Sequence, residues 1–257
     1  MINQTQPLPV PAPALKCAHS WTLSLLSIGL AGMTFWTMPA LADRDDDHDQ
    51  NRPGRSLVAP PHSHAYGKSL SEWLNVYWRW NLLGQDPSKS VVNGVKLIPL
   101  PAGELVSGAG TPEDPALYRG QIEVTIDSDT PFVLPLAAWT VERYNNGTPD
   151  DSVIPNDVFL DGVSPHFTID GKLVMSDCNE TEFYVPPMPF DPIVVYAAPT
   201  SYGSYAVLKV QSIGVVGRPL SVGVHRIHLY ESYILPGLFG TIFDNTWIIT
   251  VKKSHHH

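Results

Sequence analysis

The residues of this chain best suited to chemistry are its histidines, its carboxylates and a run of tyrosines. His62 and His64 form an H-x-H pair. In an extended segment alternate side chains point the same way, so both imidazoles would share a side, a start for a transition-metal site. His225 and His228 lie three apart on a predicted strand and so face opposite sides. His228, in phase with Arg226 and Tyr230, is the candidate third ligand beside His62 and His64. His225, in phase with Ile227 and Leu229, reads as a core histidine whose two nitrogens both need partners. A metal site takes three or four convergent ligands, and the spacing supplies only the pair. No cofactor is therefore expected, a His-bound transition metal being the alternative.

Glycoside chemistry would need two carboxylates about 5 to 10 Å apart across a cleft. Glu123, Asp127, Glu142, Asp161, Glu180, Glu182 and Asp191 are available, and no spacing singles out a pair. Glu142 follows Trp139 at the end of an apolar run, a mixture able to line a sugar site. The stretch "PPMPFDPIVVYAAPTSYGSYAV" sets Tyr196, Tyr202 and Tyr205 among Pro, Gly and Ser. Tyrosines in small-residue loops give stiff amphipathic contact area used in recognition. Trp139, Glu142, Tyr196, Tyr202 and Tyr205 are thus the candidate ligand-binding residues. Cys178 has no recognisable histidine partner and reads as an inert thiol. There is no G-x-S-x-G elbow, H-E-x-x-H pair, Gly-rich phosphate loop or C-x-x-C pair.

Positioning these residues falls to a chain that is mostly strand by pattern. "GKSLSEWLNVYWRWNLLG" is the exception: Ser69 and Glu72 make a capping box at its start, and Gly84 and Pro87 terminate it. The spacing predicts a helix over 70–83. Its apolar residues cover most of its circumference, leaving Glu72, Asn75 and Arg79 as a polar stripe, so it should be buried rather than offered as an aromatic platform. Beyond it the period becomes two, in "PFVLPLAAW", "YAVLKVQSIGVV", "GVHRIHLYES" and "NTWIITVKK". Asn93-Gly94 and Asp170-Gly171 each sit between short apolar runs, the pattern of a tight hairpin. Proline inside apolar runs, as at Pro135, points to edges and bulges. The fold class expected is mainly β: a single β-sandwich or jelly-roll-like domain, residues 65–252, carrying one buried Trp-rich helix.

The ends read differently. Residues 1–42 hold one charged residue, Lys16, an apolar stretch and an Ala40-Leu41-Ala42 exit, the layout of a secretory signal peptide. Residues 43–64 are acidic and Pro-containing and read as a flexible lead-in. Residues 253–257 read as a tail or tag remnant. The expected location is secreted or periplasmic, with no membrane span after cleavage. Cleavage would also leave Cys178 alone, hence no internal disulfide. The formal net charge of −9 argues against nucleic acid, which is held by basic side chains.

The helix stretch, with its Gly-Lys-Ser start, Glu-Trp pair and Trp-x-Trp close, resembles the opening helix of a group of secreted bacterial proteins of unassigned function. The likeness continues through "PFVLPLAAW", through a strand announcing Asp-Gly at 161–162 or 170–171, and through "LSVGVHRIHL" from Leu220 to Leu229. The chain departs from the group in lacking its cysteines. The resemblance implies an exported β-sandwich and no particular activity. The residues leave two readings of function. The first is a non-catalytic sandwich in binding or assembly at the cell envelope or outside the cell, its partner a carbohydrate or another envelope protein. The second is a secreted, polysaccharide-active enzyme using carboxylates or a bound metal. The apolar stretch "ILPGLFGTIF", 234–243, adds a candidate oligomer contact.

Overall fold

A computed structural model describes residues 57–254. The expected signal peptide, most of the lead-in and the closing histidines lie outside the described residues. Helix α1 (Leu70–Leu82) has the expected capping box: the Glu72 amide donates to Ser69 Oγ at 3.3 Å and the Ser69 amide to Glu72 Oε2 at 2.7 Å. Next come β1 (Val91–Val92), β2 (Val95–Leu97), β3 (Glu104–Ser107), β4 (Ala116–Asp127) and β5 (Phe132–Tyr144). A short helix α2 (Asn156–Gly162) leads into β6 (Val163–Ile169) and β7 (Lys172–Met175). The chain then runs through β8 (Tyr184–Val195), β9 (Ser204–Gly217), β10 (Gly223–Leu235) and β11 (Phe239–Lys252).

Two sheets pack face to face in a β-sandwich. One has the order β1-β2-β5-β9-β8, the other β3-β4-β11-β10-β6-β7. Most neighbours are antiparallel, but β11 pairs with β4, and β2 with β5, in parallel. Both expected hairpin turns form. Asn93 and Gly94 (φ 49° and 78°) join β1 to β2, and Asp170 and Gly171 (φ 51° and 72°) join β6 to β7. Two consecutive positive φ values are what a two-residue loop matched to strand twist requires. The other Asp-Gly, at 161–162, instead closes α2. Gly162 lies so close to β10 that a Cβ there would meet Leu235 and the Ile234 carbonyl within 2.7 Å.

The sandwich has apolar material in two layers. Between the sheets lie Phe132, Leu134, Phe159, Phe167, Ile227, Leu229, Trp247 and their neighbours. On the other face of the five-stranded sheet α1 packs Trp73, Leu74, Tyr77, Trp78 and Trp80 against β5, β8 and β9, all of them buried. The polar tips of its aromatics find partners. Trp73 Nε1 donates to the Ala65 carbonyl at 2.8 Å, Trp78 Nε1 to Ser212 Oγ at 2.9 Å and Trp80 Nε1 to the Asp86 carbonyl at 2.9 Å. The Tyr77 hydroxyl donates to the Ile98 carbonyl at 2.7 Å. The helix is thus packing, as its circumference predicts. Its polar stripe is used too: Asn75 and Arg79 donate to the carbonyls of Pro189 and Pro192 on the edge strand β8.

Two expectations change. The domain begins before residue 65. Val58 is buried in the inter-sheet core and bridges to Gly217, and the Ala59 amide donates to the Val216 carbonyl. The apolar triplet Leu57-Val58-Ala59 within a polar segment is the physical reason. Cys178 is disulfide-bonded rather than a lone thiol. The expectation of a lone thiol rested on removal of residues 1–42, and the sequence's other cysteine, Cys17, lies outside the described residues. No helix among the described residues is long and apolar enough to cross a membrane.

Candidate functional site

β2 pairs with β5 only at Phe132 and Val133. Beyond that point β5 has no neighbour on this side, and the chain after β2 crosses toward the other sheet through Leu100, Pro101 and Gly103. A cavity of about 490 Å³ opens there, lined by Trp78, this crossing segment, Leu136 to Ala138 of β5, Tyr118 of β4, Tyr233 of β10, and Phe239, Thr241, Phe243 and Asn245 of β11. The walls are mainly apolar and aromatic, and the size suits a small organic molecule.

The rings along this wall brace one another. Trp139 stacks on Phe239 at 6.2 Å with an interplanar angle of 8°, and Phe239 meets Tyr233 edge-on at 5.0 Å. Tyr233 meets Phe159 at 5.6 Å, and Phe159 meets Tyr184 at 5.4 Å. Tyr118 stacks on Phe243 at 6.1 Å.

Three polar side chains project into the same inter-sheet space with atoms that have no hydrogen-bond partner: Glu231 at both carboxylate oxygens, Tyr233 at its hydroxyl and Asn245 at Oδ1. Glu231 is 0% exposed. Its place follows from strand period: on β10 it is in phase with Ile227, Leu229, Tyr233 and Leu235, all buried. Its cross-strand neighbours are Phe243 on β11 and Pro165 on β6. Burial pushes the Glu231 carboxyl up to about 8. Burial, with the Glu231 carboxylate second, also raises the Tyr233 hydroxyl. Another buried polar side chain of this layer is fully engaged. Gln211, 1% exposed, accepts from the Ile154 amide and donates to the Ile154 carbonyl, both at 3.2 Å. Unsatisfied buried groups are uncommon in folded proteins, so the three on one wall mark it.

The sequence-predicted ligand residues fall in two places. Glu142, Tyr196 and Tyr202 do come together, at the far end of β5. Glu142 Oε1 accepts from the Tyr196 hydroxyl at 3.2 Å and the Tyr202 hydroxyl at 3.5 Å, while its other oxygen is buried without a partner. Asp151 accepts from the Glu142 amide at 3.2 Å and the Tyr144 hydroxyl at 3.0 Å. Burial, then the Asp151 carboxylate, pushes the Tyr144 hydroxyl up to about 12, and burial followed by Glu142 raises Tyr196 and Tyr202. Tyr205 stands beside Arg143, which pairs with Asp150 at 3.1 Å. Trp139 belongs to the cavity side: it donates to the Ser152 carbonyl at 3.1 Å and buttresses Phe239.

The metal candidates stay apart. His62 and His64 are exposed; His62 lies inside a turn closed by the Ser63 amide donating to the Pro60 carbonyl, and His64 follows it, so the pair is not in an extended segment. His64 lies on the α1 side, near Glu72. His228 is in the six-stranded sheet, where its Nε2 pairs with Asp244 Oδ1 at 2.9 Å, and Arg119 holds the other oxygen at 2.8 Å. Among the described residues no three His, Cys, Asp or Glu side chains are grouped to hold a metal ion.

One constellation was invisible to spacing. His225 Nδ1 lies 2.6 Å from Asp170 Oδ2, and its Nε2 lies 3.4 Å from Ser221 Oγ, the outline of a serine–histidine–aspartate set. Nε2, however, is closer to the Ser221 carbonyl, at 2.8 Å, and must donate to it. A ring donating at both nitrogens cannot take a proton from Ser221, so this is a clamp on the start of β10 and not a nucleophile pair. Burial opposes the charged ring, but Asp170 and the Ser221 carbonyl outweigh it and raise the His225 pKa.

The stretch 234–243 forms the end of β10, a turn and the start of β11. Phe239 and Phe243 line the cavity, whereas Leu238 at the turn is 62% exposed. The residues that sequence reasoning missed are Tyr118, Glu231, Tyr233 and Asn245. One signal was present: Glu231 interrupts an otherwise apolar alternate set on a strand. Comparison of the chain with family models, with curated protein sequences and with solved structures found no match, so the site is read from its own chemistry.

Proposed function

We propose that this chain is an exported, non-catalytic β-sandwich that binds a small, largely apolar molecule between its sheets. The observation that carries the reading is the aromatic-walled cavity of about 490 Å³ with unsatisfied polar atoms on one wall. Ligand pockets combine a mostly apolar surface with few, placed polar groups, and this wall has that composition. Export is the part supported by residues 1–42 and by the resemblance to secreted sandwich proteins.

The test uses the neutral dye N-phenyl-1-naphthylamine. Saturable one-to-one binding is expected, and the substitution Thr241→Phe, which fills the cavity from β11, should abolish it while the protein stays folded. Dye binding that survives Thr241→Phe unchanged would remove the cavity from consideration.

A further inference from the structure

Resting on that reading, we infer that the molecule taken up by the cavity carries a primary ammonium head on an apolar body, and that the head pairs with Glu231.

Glu231 does not line the cavity itself. It stands two positions before Tyr233 on β10 and directly across from Phe243 on β11, and both of these do. Asn245 is its diagonal neighbour on β11, at the roughly 7 to 8 Å reached by long side chains. A head entering along this wall therefore meets Glu231 with an unsatisfied acceptor on either side, Tyr233 Oη and Asn245 Oδ1. An ammonium brings three donors and no acceptor, the complement of such a wall. Phe243 and Phe239 add ring faces, which attract a desolvated cation.

The charge balance points the same way. On β10 and β11 the other ionisable side chains near this place, Arg226, His228, Tyr230 and Asp244, occupy the alternate positions that face outward. Within the sheet the neighbours of Glu231 are Pro165 on β6, Phe243 on β11 and Tyr233 on its own strand, with Tyr184 of β8 bearing on Tyr233. None is a cation. A buried carboxylate needs a paired charge, and without one the group keeps its proton. Burial, which pushes this carboxyl up to about 8, has that effect at neutral pH.

Binding then has a proton count. The Glu231 O–H bond breaks, its proton passes to solvent, and the carboxylate accepts an N–H from the ammonium, which stays protonated throughout. Near pH 7 close to one proton should leave per ligand bound. Affinity for an alkylammonium should rise roughly tenfold per pH unit up to about pH 8, the slope of one linked proton. A neutral ligand of the same length should show neither effect.

The experiment is calorimetric titration of the full chain with octylamine and with 1-octanol at pH 7, in two buffers of different ionisation enthalpy. The expected result is octylamine binding at least tenfold tighter than 1-octanol, with nearly one proton released. Glu231→Gln should lose that release and the preference while still binding 1-octanol. Equal binding of both compounds with no proton released would overturn the ammonium assignment and leave the cavity reading standing. Binding of neither would overturn both. The proton count on the unaltered protein needs no variant, so poor folding of Glu231→Gln does not blunt the test.

Discussion

On the helix side of the five-stranded sheet, the polar tips of Trp73, Tyr77, Trp78 and Trp80 all have partners; between the sheets, Glu231 and Tyr233 have none. The two layers share a sheet and similar aromatic content, yet the aromatic tips of the helix layer are closed by hydrogen bonds, while unpaired polar atoms stand beside the cavity that opens past the end of β2, which Trp78 also reaches. Aromatic side chains whose polar tips are all paired have their packing specified and little left to offer. A layer with unpaired acceptors beside open volume keeps a capacity for interaction at some cost in stability. The difference separates what holds the fold from what the fold could hold.

The largest expected effect lies in the closed layer. Trp73→Ala removes a fully buried indole and its bond to Ala65, and should destabilise by about 3 to 5 kcal/mol, read from the urea midpoint. Next is a pH dependence from the open layer. The Glu231 carboxyl is raised from 4.5 to about 8 on folding, so the folded state binds a proton that the unfolded state has lost. Its contribution is complete below about pH 4.5 and fades as pH climbs toward about 8, by roughly 1.4 kcal/mol per unit. Stability should fall across that window in wild type and flatten in Glu231→Gln. A wild-type curve already flat there would mean that the carboxyl is solvated or paired.

Two smaller effects come from one chemical change made in each layer. Tyr77→Phe strands the Ile98 carbonyl in a buried place and should cost about 1 to 3 kcal/mol. Tyr233→Phe removes a hydroxyl that has no partner and should change stability by less than about 0.5 kcal/mol, or raise it. Equal costs in the two melting curves would erase the distinction between the layers.

How much of this was legible depends on the distance over which each cause acts. The α1 capping box, the Asn93-Gly94 and Asp170-Gly171 turns and the strand period are local, and each formed where the residues required it. The gathering of Glu142 with Tyr196 and Tyr202 was half legible. The residue types were named, but their contact depends on β8 and β9 returning beside β5. The cavity was not legible at all. It exists because β2 ends at Leu97 while β5 runs on to Tyr144, a mismatch of two strands far apart in pairing extent. The parallel pairing of β4 with β11 is likewise a product of topology, with no local signature. The buried acid at 231 could have been flagged from its phase alone, because an ionisable residue in an apolar alternate set is informative before any contact is known.

The edge strand β8 carries Pro186, Pro187, Pro189 and Pro192, and α1 side chains already occupy the carbonyls of the last two. Four of its positions have no amide to donate and two of its acceptors are taken. A strand from another molecule arriving at this edge would find few of the bonds that a ladder requires. The prolines of a stretch whose residue types read as a loop thus end sheet growth at this edge, and work against edge-to-edge linking there when the protein is concentrated.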